Sequence, residues 1–429
     1  MAKRLATVGW AVCAVLAAAA PVWAEDPGMK AEIELLKSRL AKLEAQQVAA
    51  AAGAEPGNAI IELPSGLHGV KMSGFVDTTA TYNMNEPETN TNTLRVFDTR
   101  SNGFLINNAQ LTIEKPVSTE SPMGFKTELM FGTDAEVVGG VTGGLGANAH
   151  THGQSGETAV SDEVELQEAY AEYLAPLGNG LDVRIGKFAT LHGAEVIEAK
   201  DNWNISRSFL FGYAIPFTHT GGRATYAWND KLSTTVGVSN GWDLVDDTNK
   251  AKTVEFNVTA TPLDGVSLCS TYMFGAEQAG DNTNQRHLLD LVLGWQPIEP
   301  LQLKLNYDYA DEDDGGGSAD NAVWHGLAAY ARYALTEKAA IAGRMEYLND
   351  ADGVRTAFTS GINGVTDDDI RLYEFTLTGE YKLTDHLLTR LEYRHDTANA
   401  EVFVSDEAAS GLGKRSYQDT VALQFIALF

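Results

Sequence analysis

Two sets of charged side chains in this chain have the spacing to shape an electric field. The first lies in one long connection, residues 191–216, which carries Glu195, Glu198 and Asp201, then Trp203 and Arg207. Carboxylates held in a narrow aqueous neck attract cations and repel anions. The same carboxylates on an open cap would only be solvated. The second set is basic: Lys126, Arg184, Arg223, Arg344, Arg390 and Arg394. Each alternates with apolar neighbours along an extended stretch, so it falls on the polar face. Glu128, Glu346 and Glu392 fall on the same faces, which leaves simple ion pairing as the alternative role.

Covalent chemistry is poorly supported. His219, His287, His325 and His395 are scattered, and no serine is tied to any of them by a motif. His150 and His152 lie in a Gly-rich stretch, a weak metal candidate. The acidic clusters 311–314 and 367–369 are candidates for divalent cations that bridge lipopolysaccharide, or are solvated. Cys269 is the one cysteine left once a leader containing Cys13 is removed, so an internal disulfide is excluded. Nothing calls for a cofactor.

These residues are positioned by a repeated pattern from Val70 to Phe429. Stretches of about ten residues alternate apolar with polar, a period that sends side chains to opposite faces of a strand. In 301–309, Leu301, Leu303, Leu305, Tyr307 and Tyr309 oppose Gln302, Lys304, Asn306 and Asp308. The stretches 254–260 and 373–381 behave alike. Seven short turns, many with Pro, Gly or Asp, alternate with eight long loops, which joins sixteen strands. The fold class expected is all-β: a transmembrane antiparallel up-and-down barrel of about sixteen strands, with strands long enough to cross the hydrocarbon. An even count puts both termini on the short-turn side, the periplasm, and the long loops outside the cell. Aromatics at strand ends, Tyr173, Trp228, Trp295, Tyr333, Tyr381 and Phe429, are expected to form an interfacial girdle.

The N-terminus supplies an address. Lys3 and Arg4, an apolar run 5–20 and Val22-Trp23-Ala24 read as a secretory signal peptide over 1–24. Residues 25–47 then form a short helix with an a/d seam of Ile33, Leu36, Leu40 and Leu43. Glu32 with Lys37 and Arg39 with Glu44 suit parallel chains. The seam is too short to be stable alone and needs a second interface. An Ala/Gly-rich linker, 48–69, leads to the barrel, 70–429.

The 429 residues carry a formal charge of −27, and loss of a signal with two bases and no acids leaves −29. Nucleic-acid binding is excluded, because a phosphate backbone needs a basic face. Mean hydropathy of −0.17 is compatible with a barrel, since half of each strand faces a wet lumen.

The final strand, Val421-x-Leu423-x-Phe425-x-Ala427-x-Phe429, resembles the terminal signal read by the outer-membrane barrel assembly machinery. With the signal peptide and the run Leu166-Gln167-Glu168-Ala169-Tyr170 … Arg184-Ile185-Gly186-Lys187-Phe188, the chain resembles the Gram-negative outer-membrane porins. The segment 73–243, including Ser239-Asn240-Gly241-Trp242-Asp243, is similar to the putative β-barrel porin-2 family. The phosphate-selective porins, with a similar N-terminal coiled coil, are a more distant resemblance. The resemblance implies a trimer in outer-membrane lipid and lipopolysaccharide that passes small hydrophilic solutes and is not an enzyme. It also implies that the loop after the fifth strand, here 191–216, folds inward as a constriction. A structural tether or adhesin, with the coiled coil holding a periplasmic partner, is the alternative expectation.

Overall fold

The structure is a computed structural model that describes residues 61–62, 69–142, 164–315, 321–357, 370–406 and 415–429. The signal peptide, the coiled-coil seam Ile33, Leu36, Leu40 and Leu43, most of the linker, His150, His152 and the 367–369 cluster lie outside the described residues.

Sixteen strands form one closed antiparallel sheet. They are β1 (Lys71–Asn83), β2 (Gly103–Lys115), β3 (Met123–Phe131), β4 (Val164–Ala175), β5 (Leu181–Ala189), β6 (Thr218–Asn229), β7 (Leu232–Ser239) and β8 (Thr253–Leu263). The second half comprises β9 (Val266–Ala276), β10 (Gln285–Ile298), β11 (Leu301–Glu312), β12 (Ala322–Ala334), β13 (Ala339–Asp350), β14 (Ile370–Thr384), β15 (Leu387–Ala398) and β16 (Tyr417–Leu428). Every strand pairs with its sequence neighbours, and β16 pairs with β1 from Thr420↔Asn83 to Leu428↔Phe75. Closure leaves no edge with unpaired backbone groups, which hydrocarbon would not satisfy. A further pair of residues, Ile61–Glu62, adds beside the start of β1.

The two faces invert the pattern of a water-soluble sheet. On β14, Tyr373, Phe375, Leu377 and Tyr381 are exposed on the outside, while Glu374, Thr376, Thr378 and Glu380 are buried inside. On β8, Phe256 and Val258 point out while Glu255 and Asn257 are buried. The six expected girdle aromatics are all exposed and all lie at the short-turn end. Apolar surface facing out and charge facing in is a stable arrangement only if the surroundings are lipid.

At the seam, backbone bonds run both ways between Gly74 and Phe429, at 2.9 and 3.0 Å. A Cβ on Gly74 would sit 2.5 Å from the Phe429 ring and 2.3 Å from the Gln110 carbonyl, so the close approach of the last residue depends on that glycine.

Sequence periodicity did not anticipate a helix, but the second long loop opens with α1 (Thr133–Thr142). The lumen also holds an apolar cluster. Leu94 and Phe97 of the first long loop, Ala135, Val137 and Val138 of α1, and Phe209 to Phe217 of the third loop pack with Trp242, Trp324, Val402 and Phe403.

Candidate functional site

The third loop runs from the end of β5 to the start of β6 and enters the barrel. It reaches the opposite wall, β11 to β15. A chain segment inside a barrel has no strand partner, so its backbone polar groups must be satisfied another way. Here charged side chains of the wall do it. Glu392 accepts from the Ile205 and Ser206 amides at 2.5 and 3.0 Å. Glu346 accepts from the Phe209 and Leu210 amides at 2.6 and 3.1 Å. Arg344 donates to the Ser206 carbonyl at 2.7 Å. Arg390 donates to the Ala199 and Asn202 carbonyls at 2.8 and 2.6 Å. Arg394 donates to the Arg207 carbonyl at 2.5 Å. Wall acids take loop amides, and wall arginines take loop carbonyls.

The same charges pair with each other. Arg344 forms a two-pronged bridge to Glu374, at 2.8 and 3.1 Å, and reaches Glu195 of the loop at 2.6 Å. Arg394 pairs with Asp396 at 2.7 Å and with Glu374 at 3.2 Å, and lies 4.8 Å from the Phe209 ring. Arg390 pairs with Glu380 at 3.0 Å. Arg344, Arg390 and Arg394 are therefore each both paired and hydrogen-bonded, the condition under which burial of a charge is tolerable.

The expected loop residues divide. Glu195 is buried. Its carboxylate also accepts from the Ser208 amide at 2.8 Å. Burial pushes that carboxyl up, but Arg344 and the Ser208 bonds outweigh it and hold it below the usual range. Glu198 is half-buried and accepts from the Gln167 side chain. Asp201 is exposed and pairs with Lys200 at 2.7 Å. Arg207 is buried and folds back on the loop, donating to the Ile205, Val196 and Ile197 carbonyls, the first two at 3.0 and 3.2 Å. It also lies 3.9 Å from Asp134 of α1 and 5.0 Å from the Phe97 ring. Burial pushes the Asp134 carboxyl well above its usual range against the pull of Arg207.

The six basic strand residues all face inward, in two groups. Lys126, with Glu128 and Glu168 at 2.8 and 2.5 Å, and Arg184, with Glu172 and Asp182 at 2.8 and 3.1 Å, keep partial exposure. Arg223 pairs with Glu255 at 2.6 Å. Arg344, Arg390 and Arg394 were expected on an open pore wall. They lie instead beneath the loop, fully buried, because the loop's carbonyls consume their donors.

The loop's far end has anchors that periodicity did not single out. Asp243, in the fourth long loop, accepts from the Phe217 and Thr218 amides at 2.6 and 2.9 Å. The Trp324 indole donates to the Ala214 carbonyl at 3.1 Å, and Arg355 donates to the Tyr213 carbonyl at 2.7 Å. Gly326 of β12 lets Leu210 close on the wall, since a Cβ there would lie 2.6 Å from the leucine side chain. An indole on an inward strand position was the one available signal.

Two cavities open on the short-turn side of the loop. One, of about 540 Å³, is lined by Trp203, Lys231, Asp264, Ser267, Gln302 and Lys304. The other, of about 390 Å³, is lined by Lys126, Glu128, Glu168, Arg184, Glu198 and Asp201 among others. On the long-loop side the inward side chains of the described residues, such as Asp290, Asp308, Glu346 and Asp396, are buried.

Sixteen closed strands with an apolar exterior and a polar interior define a membrane barrel of the porin channel fold. The chain belongs to the family described as putative beta-barrel porin-2, OmpL-like, which matches residues 69–429. It is a bacterial outer-membrane β-barrel, of a family typically made up of non-enzymatic channels. Solved porins share the fold. The anion-selective porin from Comamonas acidovorans aligns over 84% of this chain and 99% of its own, with 10% identity and a TM-score of 0.55. The outer membrane channel DcaP of Acinetobacter baumannii aligns over 88% and 99%, with 11% identity and a TM-score of 0.52. The trimer form of in-vitro folded OmpT, from Vibrio cholerae, aligns over 84% and 99%, with 11% identity and a TM-score of 0.51. A search of curated proteins gives no match.

Proposed function

We propose that this protein is a diffusion porin, passing small hydrophilic solutes and ions through a lumen narrowed by the third extracellular loop. The observation that carries the reading is the clamp on that loop, centred on Glu195 and Arg344, at 2.6 Å. A loop fixed at that depth sets the radius of any aqueous path, and radius and lining charge set selectivity. Glu198 and Asp201 are the loop acids that face the 390 Å³ cavity, whereas Glu195 is neutralised by Arg344. Lys126 and Arg184 line the same cavity, so net ion preference is modest and rests on Glu198 and Asp201.

Both termini are periplasmic in this reading. Residues 25–47 join three copies, and the trimer form of the V. cholerae OmpT structure supports that stoichiometry. Val421, Leu423, Phe425 and Phe429 serve as the assembly signal. The test is reversal potential under a salt gradient for the refolded protein in a planar bilayer. Neutralising Glu195, Glu198 and Asp201 together should lower cation preference; an unchanged potential would remove the loop from the conducting path.

A structural tether is the second reading, favoured by the buried inward side chains on the long-loop side. Deleting residues 29–47 separates the two. A porin still conducts once its barrel has assembled, whereas a tether loses its role.

A further inference from the structure

We propose that His192, His219 and Glu255 form a binding site for a divalent transition-metal ion of the zinc class at the root of the third loop. One donor atom from each of the three lies within 4.8 Å of the other two. His192 sits in the loop just after β5, His219 is at the start of β6, and Glu255 is on the inward face of β8. All three are more than nine-tenths buried.

The free valences point to a ligand. His192 Nε2 and Glu255 Oε2 are buried with no hydrogen-bond partner. A polar atom left so pays its desolvation without return. Their remaining atoms are anchored. His192 Nδ1 lies 3.0 Å from the Thr190 hydroxyl. His219 Nδ1 lies 3.3 Å from the Gly241 carbonyl, which selects the tautomer with a lone pair on Nε2; that lone pair accepts from the Thr190 hydroxyl at 3.3 Å, a contact the metal would replace. Glu255 Oε1 accepts from Arg223 at 2.6 Å, which leaves Oε2 available. A fixed remote nitrogen on each ligating imidazole is the arrangement that orients metal-binding histidines.

The donor set chooses the metal. Two imidazoles and one carboxylate suit zinc and its neighbours, while magnesium and calcium require oxygen ligands. The guanidinium of Arg223 works against a second cation and lowers the affinity. Tetrahedral zinc bonds of about 2.1 Å place donors about 3.4 Å apart, so donors that lie within 4.8 Å of one another close in by up to roughly 1.4 Å on binding. An ion arrives from the lumen: Thr190, Leu191 and Arg223 also line the 390 Å³ cavity, whose wall carries Glu128, Glu168, Glu198 and Asp201. Once bound, it joins the loop root to two strands.

The full-length protein, stripped with a chelator and dialysed against micromolar zinc, should retain one zinc per chain. His192→Asn and Glu255→Gln should each weaken retention at least 10-fold, while excess magnesium should not displace the ion. Cobalt should give visible absorption bands that His192→Asn removes. Folding of each variant is checked by heat-modifiable migration. Should the variants not fold, the wild-type cobalt spectrum with shifted imidazole proton resonances decides, and its absence overturns the site. No zinc retained by the folded wild type, or retention by both variants equal to that of the wild type, also overturns it; the latter would move the metal elsewhere, for instance to His150 and His152.

Discussion

Arg344 Nη1 of β13 lies 2.6 Å from Glu195 Oε1 of the third loop, and both side chains are buried. The pair joins a loop rooted between β5 and β6 to the far wall of the barrel. Glu374 holds the other side of the guanidinium, so the arginine is shared between wall and loop.

Removing one partner of such a pair leaves a buried charge uncompensated, at a cost of about 3–5 kcal/mol. Arg344→Met strands Glu195 and leaves Glu374 to Arg394 alone, and should lower the unfolding midpoint markedly in denaturant titrations of the refolded barrel. Glu195→Gln should cost less, because Glu374 still balances the arginine. The double variant should be more stable than the sum of the singles implies, by about 0.5–3 kcal/mol, as expected for contacting residues.

Acid should release the Glu195 contact late. Its folded-state carboxyl is held below the ordinary value of 4.5, so the stabilisation is present above that value and is lost as pH falls through the depressed one. Hydrogen exchange at the Ser208 amide, which Glu195 accepts, should stay protected through mildly acidic pH and rise only below the ordinary glutamate range. Protection lost already near pH 6 would contradict the pairing.

Asp243 behaves oppositely. Burial pushes its carboxyl up to about 6 although two amides donate to it. A raised carboxyl favours the fold at low pH, and that contribution is lost as pH rises through about 6. Asp243→Asn keeps an acceptor and drops the buried charge, so its stability should match wild type or exceed it at pH 8. Asp243→Ala orphans the Phe217 and Thr218 amides and should cost about 1–3 kcal/mol. Equal loss in both variants would assign the residue's value to its charge.

Gly326→Ala places a methyl 2.6 Å from both the Leu210 side chain and the Tyr347 carbonyl. The loop must back away from β12, at about 1–3 kcal/mol for an overpacked contact. Leu210→Ala in the same chain should restore part of the loss in urea unfolding, since half of the clash is then gone.

The barrel itself was legible because alternation is a local property: Asn306 and Asp308 against Tyr307 and Tyr309 state both faces of β11 without any tertiary knowledge. The even strand count implied that both ends of the barrel segment lie at the short-turn end, where Gly74 and Phe429 meet. The use made of the inward charges was not legible. Arg344, Arg390 and Arg394 have the same pattern as Lys126 and Arg184, yet the first three bind the loop's carbonyls and the latter two line a cavity. Only the path of the third loop separates them, and that path is a long-range property. Asp243, Trp324 and Arg355 were missed for the same reason, each anchoring a backbone group distant in sequence. His192 and His219 are separated by the whole loop, so their approach is a consequence of its fold.

The central claim is that inward charges of β13 to β15 clamp the third loop across the lumen and thereby set the channel. Single-channel conductance in planar bilayers, comparing the wild type with Arg344→Met and Arg390→Gln, tests it most directly. The account predicts discrete small steps for the wild type and larger or noisier steps in both variants, in barrels that still show heat-modifiable migration. Identical steps in all three proteins, or no conductance from any of them when folded, would contradict it.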